Sequence, residues 1–418
     1  MKLLSHWAIF SSNEVNTQSF VQQILAGKAP APLHSFNIQC GEFFSPTRLA
    51  QIIEEESRRD YILVTNDLKR PLGSLSSGEQ KKALLAHILA QNPDYIILDN
   101  PYDNLDTHSQ QSLKEMLTQV ATHTTLLQII YRKAELLPFI QEAVRLDNNN
   151  SVTRIDSIAE YMHQLAINHP PIIANKIPKP LHDYPLTNKQ LVSFTDVTVE
   201  YENRPILKNI HWTINAGEFW QLIGPNGSGK TTLLTMITGD NVKGYGKDLV
   251  LFGKRKGSGE TVWEIKEKIG YVTPAMTSLF STRHTLEDMV ISGFFDSIGL
   301  YVIPSELERR LANEWLSVME LSHLKDKVFC ELSLSVQRKA LIARAMVKHP
   351  PVLILDEPAF GLDDYHTAIV TGLINKIAAE SNTAIIYVSH RAEKSLSPQF
   401  IFELTPSHEG STGLVKHI

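Results

Sequence analysis

Gly224-Pro225-Asn226-Gly227-Ser228-Gly229-Lys230-Thr231 is the stretch on which the fold turns. It fits G-x-x-x-x-G-K-[ST]. In that pattern glycines let backbone N–H groups turn inward around phosphate oxygens. The lysine reaches the β- and γ-phosphates, and the last hydroxyl ligates Mg²⁺. The apolar run Phe219-Trp220-Gln221-Leu222-Ile223 before it reads as a strand. Leu233-Leu234-Thr235-Met236-Ile237 after it starts a helix, and a helix N-terminus attracts anions. The two flanks set this stretch apart from a plain glycine-rich turn.

Further along, Leu353-Ile354-Leu355-Asp356-Glu357 is a short apolar run ending in two carboxylates. Carboxylates at the C-terminal end of a buried strand stand where open α/β sheets bind ligands. There Asp356 would hold the Mg²⁺ shell and Glu357 would polarise an attacking water. A helix N-cap is the alternative for such a pair in isolation. His390 follows Ile386-Tyr387-Val388-Ser389, again at a strand end. It could contact the γ-phosphate and orient the water, with a structural histidine as the alternative. Strands at Pro351–Asp356 and Thr383–Val388, with a helical pattern at Val336–Val347, make an α/β sheet with crossover helices.

The chain also repeats itself. Residues 75–106 read LSSGEQKKALLAHILAQNPDYIILDNPYDNLD, and residues 332–363 read LSLSVQRKALIARAMVKHPPVLILDEPAFGLD. Leu75 to Asp99 and Leu332 to Asp356 are both 24 positions, and a second Asp follows 7 positions later in each. Two domains of one type therefore lie in 418 residues, a length that suits two or three cores. The prolines from Pro170 to Pro185 place a linker at 167–190, between domains at 1–166 and 191–418.

Composition excludes several classes. A net charge of -5 lacks the basic footprint of a nucleic-acid binder, so no nucleic-acid partner is expected. Two distant cysteines without a CxxC leave no zinc or iron–sulfur framework and suit a reducing cytosol. Trp7-Ala8-Ile9-Phe10 reads as a buried strand rather than a signal sequence. No apolar run reaches the ~18 residues of a membrane span, so a cytoplasmic protein is expected, acting on any membrane from its inner face.

The first domain departs from the second. Trp7-Ala8-Ile9-Phe10 parallels Trp220-Gln221-Leu222-Ile223, but Ser11-Ser12-Asn13-Glu14-Val15-Asn16-Thr17-Gln18 follows without the glycines. The lysine position falls on Thr17 or Gln18, and Glu14 brings negative charge. Asn100 stands where Glu357 stands, and an amide cannot take a proton as a carboxylate can. The histidine position falls near Arg132. From Thr17 to Leu75 is 58 positions, against 102 from Lys230 to Leu332, so the first domain is trimmed between. No productive nucleotide binding is expected there.

The order of these motifs resembles the ABC ATPase superfamily: the Walker A loop Gly224–Thr231, an L-S-x-x-x segment, the Walker B strand, Gly361-Leu362-Asp363, then His390. The resemblance implies two P-loop α/β domains, each with a helical subdomain, reduced in the first. It implies ATP and Mg²⁺ as ligand and cofactor. The implied nucleotide-binding residues are Tyr201, Gly224, Pro225, Asn226, Gly227, Ser228, Gly229, Lys230, Thr231 and Thr232, with Thr231 and Asp356 on the metal and Lys230, Glu357 and His390 in catalysis. Tyr201 would stack on adenine; a core tyrosine is the alternative.

In this superfamily each ATP lies between the Walker A loop of one domain and the L-S-G-G-Q signature of the other. Leu75-Ser76-Ser77-Gly78-Glu79 matches the signature at its first, second and fourth positions, whereas Leu332-Ser333-Leu334-Ser335-Val336 has lost the glycine and the Gln. One complete composite site then pairs Lys230, Thr231, Asp356, Glu357 and His390 with Ser76 and Gly78, by intramolecular pairing of the two domains. Pro274 stands where the family carries a glutamine that contacts Mg²⁺.

Within the superfamily, Gly239-Asp240, Leu251-Phe252-Gly253, Gly257-Ser258-Gly259-Glu260-Thr261 and Ser292–Gly299 are similar to the molybdate-transport type of ATP-binding protein. That similarity covers residues 191–400, and the first domain mainly at Trp7–Gly27 and Leu75–Asp106. It implies the ATP-binding component of a transporter, with a membrane permease as partner at the cytoplasmic face. A stand-alone soluble ATPase or an ATP-gated regulator is the alternative. The tandem translation-factor ATPases, however, carry a longer, basic, helical linker and two competent sites.

Overall fold

A computed structural model describes residues 4–59, 61–65, 70–167, 174–182, 184, 189–280, 283–390, 393 and 395–418. The chain divides into two compact units. One is Met1–His169 with Gly361–Tyr365; the other is Pro170–Phe360 with His366–Ile418.

The first unit carries β1 (Trp7–Phe10), α1 (Thr17–Leu25), β2 (Gly41–Phe44), α2 (Pro46–Arg59), α3 (Ser77–Leu89), β3 (Tyr95–Asp99), α4 (Thr107–Val120), β4 (Thr125–Ile130), β5 (Glu142–Leu146), β6 (Val152–Ile155) and α5 (Ile158–Ile167). Its sheet runs β2-β3-β4-β1-β5-β6, parallel except for the final β5–β6 pair. Both faces of this sheet are covered, as crossover helices require. Ala8, Phe10, Ile96 and Leu98 point to one buried cluster. Their strand neighbours Trp7, Ile9, Tyr95 and Ile97 point to another. That two-residue alternation explains why β1 is apolar at every position.

The second unit opens with an antiparallel hairpin, β7 (Gln190–Tyr201) and β8 (Arg204–Asn215). There follow β9 (Phe219–Ile223), α6 (Lys230–Ile237), β10 (Leu249–Leu251), β11 (Lys254–Arg255), α7 (Val262–Lys266), β12 (Ile269–Val272), α8 (Leu286–Ile291), α9 (Glu306–Val318), α10 (Leu334–Met346), β13 (Val352–Asp356), α11 (Asp364–Glu380), β14 (Ala384–Ser389), β15 (Phe400–Thr405) and β16 (Thr412–His417). Its main sheet runs β12-β13-β14-β9-β15-β16, which is the order of the first unit strand for strand. The repeat in sequence is thus a repeat in topology.

A second sheet, β11-β10-β7-β8, has no counterpart among the described residues of the first unit. It packs through aromatic side chains: Trp212 of β8 stacks on Phe402 of β15, ring centroids 4.4 Å apart at 9°. Between Lys230 and the second signature the chain builds α7, α8 and α9, where the described residues of the first unit hold α2 alone between α1 and the signature. The fold is the α/β, two-domain P-loop architecture that the motif order implied.

The proposed linker, 167–190, lies partly outside the described residues. Its described part groups with the second unit. The Ile177 N–H donates to Glu380 Oε2 at 3.0 Å, and the Tyr184 hydroxyl to the carbonyl of Glu267 at 3.0 Å. No helix among the described residues is long and apolar enough to cross a membrane.

Candidate active site

β9 delivers the chain to the glycine-rich loop, and α6 takes it away. The helix begins at Lys230, earlier than its apolar residues alone suggested. Two glycines have specific reasons. Gly229 sits at φ 91° in the left-handed region, and a Cβ there would lie 2.7 Å from Leu207 Cδ2. A Cβ on Gly224 would lie 2.6 Å from Ser228 Oγ and 3.0 Å from the carbonyl of Leu404. No side chain caps α6, so its first N–H groups suit an anion. Ser228 Oγ is buried without a hydrogen-bond partner, which fits a loop completed by a polar guest.

Lys230 is only 9% exposed. Its ammonium donates to the carbonyls of Gly224 (2.6 Å) and Pro225 (3.0 Å), which brace it at the centre of the loop. It also lies 3.4 Å from His390 Nδ1. An ammonium has no acceptor, so this contact assigns Nδ1 as the acceptor and places the imidazole proton on Nε2. That nitrogen meets Glu357 Oε1. Lysine, histidine and glutamate, at the start of α6 and just past the ends of β14 and β13, thus form one connected polar line. Burial first, then the Glu357 charge, pushes the Asp356 carboxyl up to about 6, against the opposing pull of Lys230 and His390.

Glu357 has a left-handed backbone, φ 48°. Its counterpart Asn100 has φ 46°, a region that Asn adopts several times more readily than Glu. A strained conformation of this kind costs about 1–3 kcal/mol. The second unit therefore keeps a glutamate where an asparagine would sit more easily.

The remaining expected residues fall as follows. Thr231 and Thr232 occupy the first turn of α6. Tyr201 ends β7 and is 38% exposed, so it is not a core side chain. Pro274 begins a 3-10 turn, Pro274–Ser278, and its carbonyl accepts from the Arg338 guanidinium at 3.0 Å. Arg338, on α10, is a buried cation that burial lowers to about 10. Ser76 and Gly78 belong to the first unit, at the start of α3.

Ser76 is engaged there in a capping box: its hydroxyl donates to Glu79 Oε2 at 2.6 Å, and its N–H donates to the same oxygen at 2.8 Å. The pattern S-x-x-E at Ser76–Glu79 is the sequence signal of such a box. Gly78 packs on α4, where a Cβ would meet Ser109 Oγ at 3.0 Å.

The first unit fills the equivalent place with its own side chains. α1 begins at Thr17 as α6 begins at Lys230, so Thr17, not Gln18, holds the lysine position. Asn16 caps α1, its side chain accepting from the Ser19 N–H at 3.1 Å. The strand registers pair Phe10 with Ile130 and Ile223 with Ser389, which puts Tyr131 rather than Arg132 at the histidine position. Tyr131 and Thr17 hydroxyls lie 2.9 Å apart, and Tyr131 also bonds the Asp99 carboxyl.

Burial, with the Asp103 charge adding to it, pushes Asp99 up to about 6. An unfolded Asp titrates near 3.9, so the folded state holds the extra proton between those values. The resulting stabilisation is full below about pH 4 and is lost as the pH rises through about 6. Asp99→Asn is therefore expected to melt above the parent at about pH 7.5, the gap closing toward about pH 4. Calorimetric melts across that range check it, and parallel pH profiles for the two proteins would refute it.

A P-loop between a parallel strand and an uncapped helix, with paired carboxylates and a histidine at neighbouring strand ends, defines an ATP-binding cassette. The family profile described as ABC transporter matches residues 207–360. The chain is 38% identical over 340 residues to the ABC transporter ATP-binding protein ModF of Escherichia coli (strain K12), covering 79% of this chain and 69% of that one. It is 33% identical over 330 residues to an uncharacterized ABC transporter ATP-binding protein of Schizosaccharomyces pombe, covering 77% and 66%. The aligned stretch thus spans about two thirds of each relative's own length.

Among solved structures, a model of ribosome-bound archaeal Pelota and ABCE1 matches 99% of this chain and 75% of that one, at TM-score 0.68 and 15% identity, a likeness of fold. The chain belongs to the ABC transporter ATP-binding proteins, as a tandem ATPase of the ModF type. It is an ATP hydrolase of that class.

Proposed function

We propose that the chain binds and hydrolyses one ATP, with Mg²⁺, at a composite site. Lys230, Thr231, Asp356, Glu357 and His390 supply the chemistry, and Ser76 and Gly78 of the first domain complete the site. The observation that carries this is the line from Lys230 through His390 to Glu357 beside an uncapped helix N-terminus. The loop N–H groups and Lys230 bind the phosphates. His390, held by Lys230 on one nitrogen, orients Glu357 with the other. Glu357 accepts the proton of the attacking water.

The Thr231 hydroxyl and the Asp356 carboxylate are a donor set suited to Mg²⁺, which takes one or two protein oxygens plus substrate phosphates. Bound there, the cation would neutralise charge on the phosphate oxygens. Domains at 1–166 and 191–418 flank the linker 167–190, and the first binds no nucleotide, since its own Asn16, Thr17 and Tyr131 use the corresponding positions.

Similarity to an ABC transporter ATP-binding protein supports a place in transport, as the cytoplasmic ATP-binding component working with a separate permease. The Glu79 carboxylate is a departure from the signature that slows turnover, because Ser76 must exchange Glu79 for a phosphate oxygen.

The test is Gly78→Asp. Because Ser109 crowds the new Cβ, the variant is made in a Ser109→Ala background. Phosphate release is expected to fall at least about tenfold, as when one oxyanion donor is lost, while Ser109→Ala alone stays active. Full activity in the double variant would rule out the composite site.

A further inference from the structure

We infer that Asn241 is a positioning residue for nucleotide binding, holding the Tyr201 ring in its stacking orientation and tying it to the Walker A helix. The inference rests on the assignment of Tyr201 to the nucleobase. Tyr201 sits at the tip of the β7–β8 hairpin, opposite Arg204, and the turn residues Glu202 and Asn203 both have positive φ, 48° and 63°. Such a tip fixes the backbone but leaves a half-exposed ring free to swing. Its hydroxyl offers a directional handle by which a neighbour can fix it.

Asn241 takes that handle. Its Nδ2 donates to the Tyr201 hydroxyl at 2.8 Å and to Thr235 Oγ1 at 3.1 Å. Its Oδ1 accepts from the Lys243 N–H at 3.0 Å. That third bond fixes which way the amide points, since an amine turned toward Lys243 would face another donor. Both protons and the oxygen of the side chain are thus in use. Its backbone N–H donates to the carbonyl of Thr235 at 3.0 Å.

Thr235 lies on α6, and its hydroxyl donates to the carbonyls of Thr231 (2.8 Å) and Thr232 (3.0 Å). A continuous line of hydrogen bonds therefore runs from the first turn of the Walker A helix to the tyrosine. Lys243, whose N–H is part of the same turn, places its ammonium 5.5 Å from the Tyr201 ring centroid. The base platform and the phosphate loop are registered to each other through one asparagine. The benefit is preorganisation: a ring already fixed loses less freedom when a base stacks on it.

The experiment measures equilibrium binding of ATP and of inorganic tripolyphosphate, which lacks a base, to Asn241→Leu, Tyr201→Phe, the pair together, and Tyr201→Ala. Asn241→Leu and Tyr201→Phe are each expected to weaken ATP about 3–10-fold, the range of one lost hydrogen bond. KM should rise with kcat nearly constant, and tripolyphosphate affinity should not move. The pair together should be no worse than either single change, because both break the same link. Equal weakening of tripolyphosphate would show that Asn241 merely supports α6 and would overturn the proposal. Unchanged ATP affinity in Asn241→Leu and Tyr201→Phe, with a loss in Tyr201→Ala, would leave the tyrosine assignment standing and remove the asparagine from it. No loss in Tyr201→Ala would remove both. Tyr201→Phe keeps the test decisive if Asn241→Leu does not fold.

Discussion

Glu357→Gln is expected to slow hydrolysis by about 10²–10⁴-fold, the usual contribution of a positioned general base, while ATP still binds within a few-fold of the parent. The substitution keeps the volume of the side chain and an oxygen that can accept from His390 Nε2. It removes only the capacity to take a proton. Because Gln is as uncomfortable as Glu at φ 48°, the fold should neither gain nor lose much. Asn at the same place would relieve the backbone and still lack the base. Phosphate release at saturating ATP, beside calorimetric ATP binding, separates the two quantities. A loss of less than tenfold in turnover would take the role of base away from Glu357.

Lys230→Ala should act on the other quantity. Its ammonium is held by two carbonyls at the centre of the loop, and no other lysine or arginine belongs to the Gly224–Thr231 stretch. A hydrogen bond to a charged group contributes about 1.5–3 kcal/mol, and the lysine is assigned two phosphate groups. ATP affinity is therefore expected to fall about 10²–10³-fold or more. A ligand that binds only the folded state raises its stability by RT ln(1 + L/Kd), L being the free ligand concentration, so the rise depends on the ratio of ligand concentration to Kd. ATP should accordingly raise the melting temperature of the parent and leave that of Lys230→Ala unmoved. An equal rise in both would refute the placement of this lysine on the phosphates.

Much of this site was legible because the chemistry demands particular residue types at fixed short spacings. The loop Gly224–Thr231 and the pair Asp356–Glu357 are local, so composition and order suffice to find them. The repeat around Leu75 and Leu332 likewise announced two domains of one type. Other features depend on where chain segments meet, and these could not be read. The histidine position in the first domain was placed near Arg132. Only the strand register, pairing Phe10 with Ile130, moves it to Tyr131. Asn241 and Tyr201 are 40 residues apart, and nothing in either stretch predicts their hydrogen bond. The strain at Glu357 is invisible in the sequence, since the residue type gives no sign of its φ. Glu79 is a different case: the signal S-x-x-E lies at Ser76–Glu79, within the same five residues that carry the signature.

The cap that Asn16 places on α1 has a wider consequence. Of the two equivalent helices, α1 has its N-terminus capped by its own sequence, and α6 has no such cap. On the reading proposed above, each chain then has a single occupancy variable. A tandem protein with two equal sites can respond to ATP through the states of both, giving sigmoidal or biphasic curves. On that reading a chain with one site gives a hyperbola, whose half-saturation point depends on residues of both domains. Under that proposal the duplication yields two folded halves with one ATP input, the first half serving to complete a site rather than to hold a nucleotide of its own.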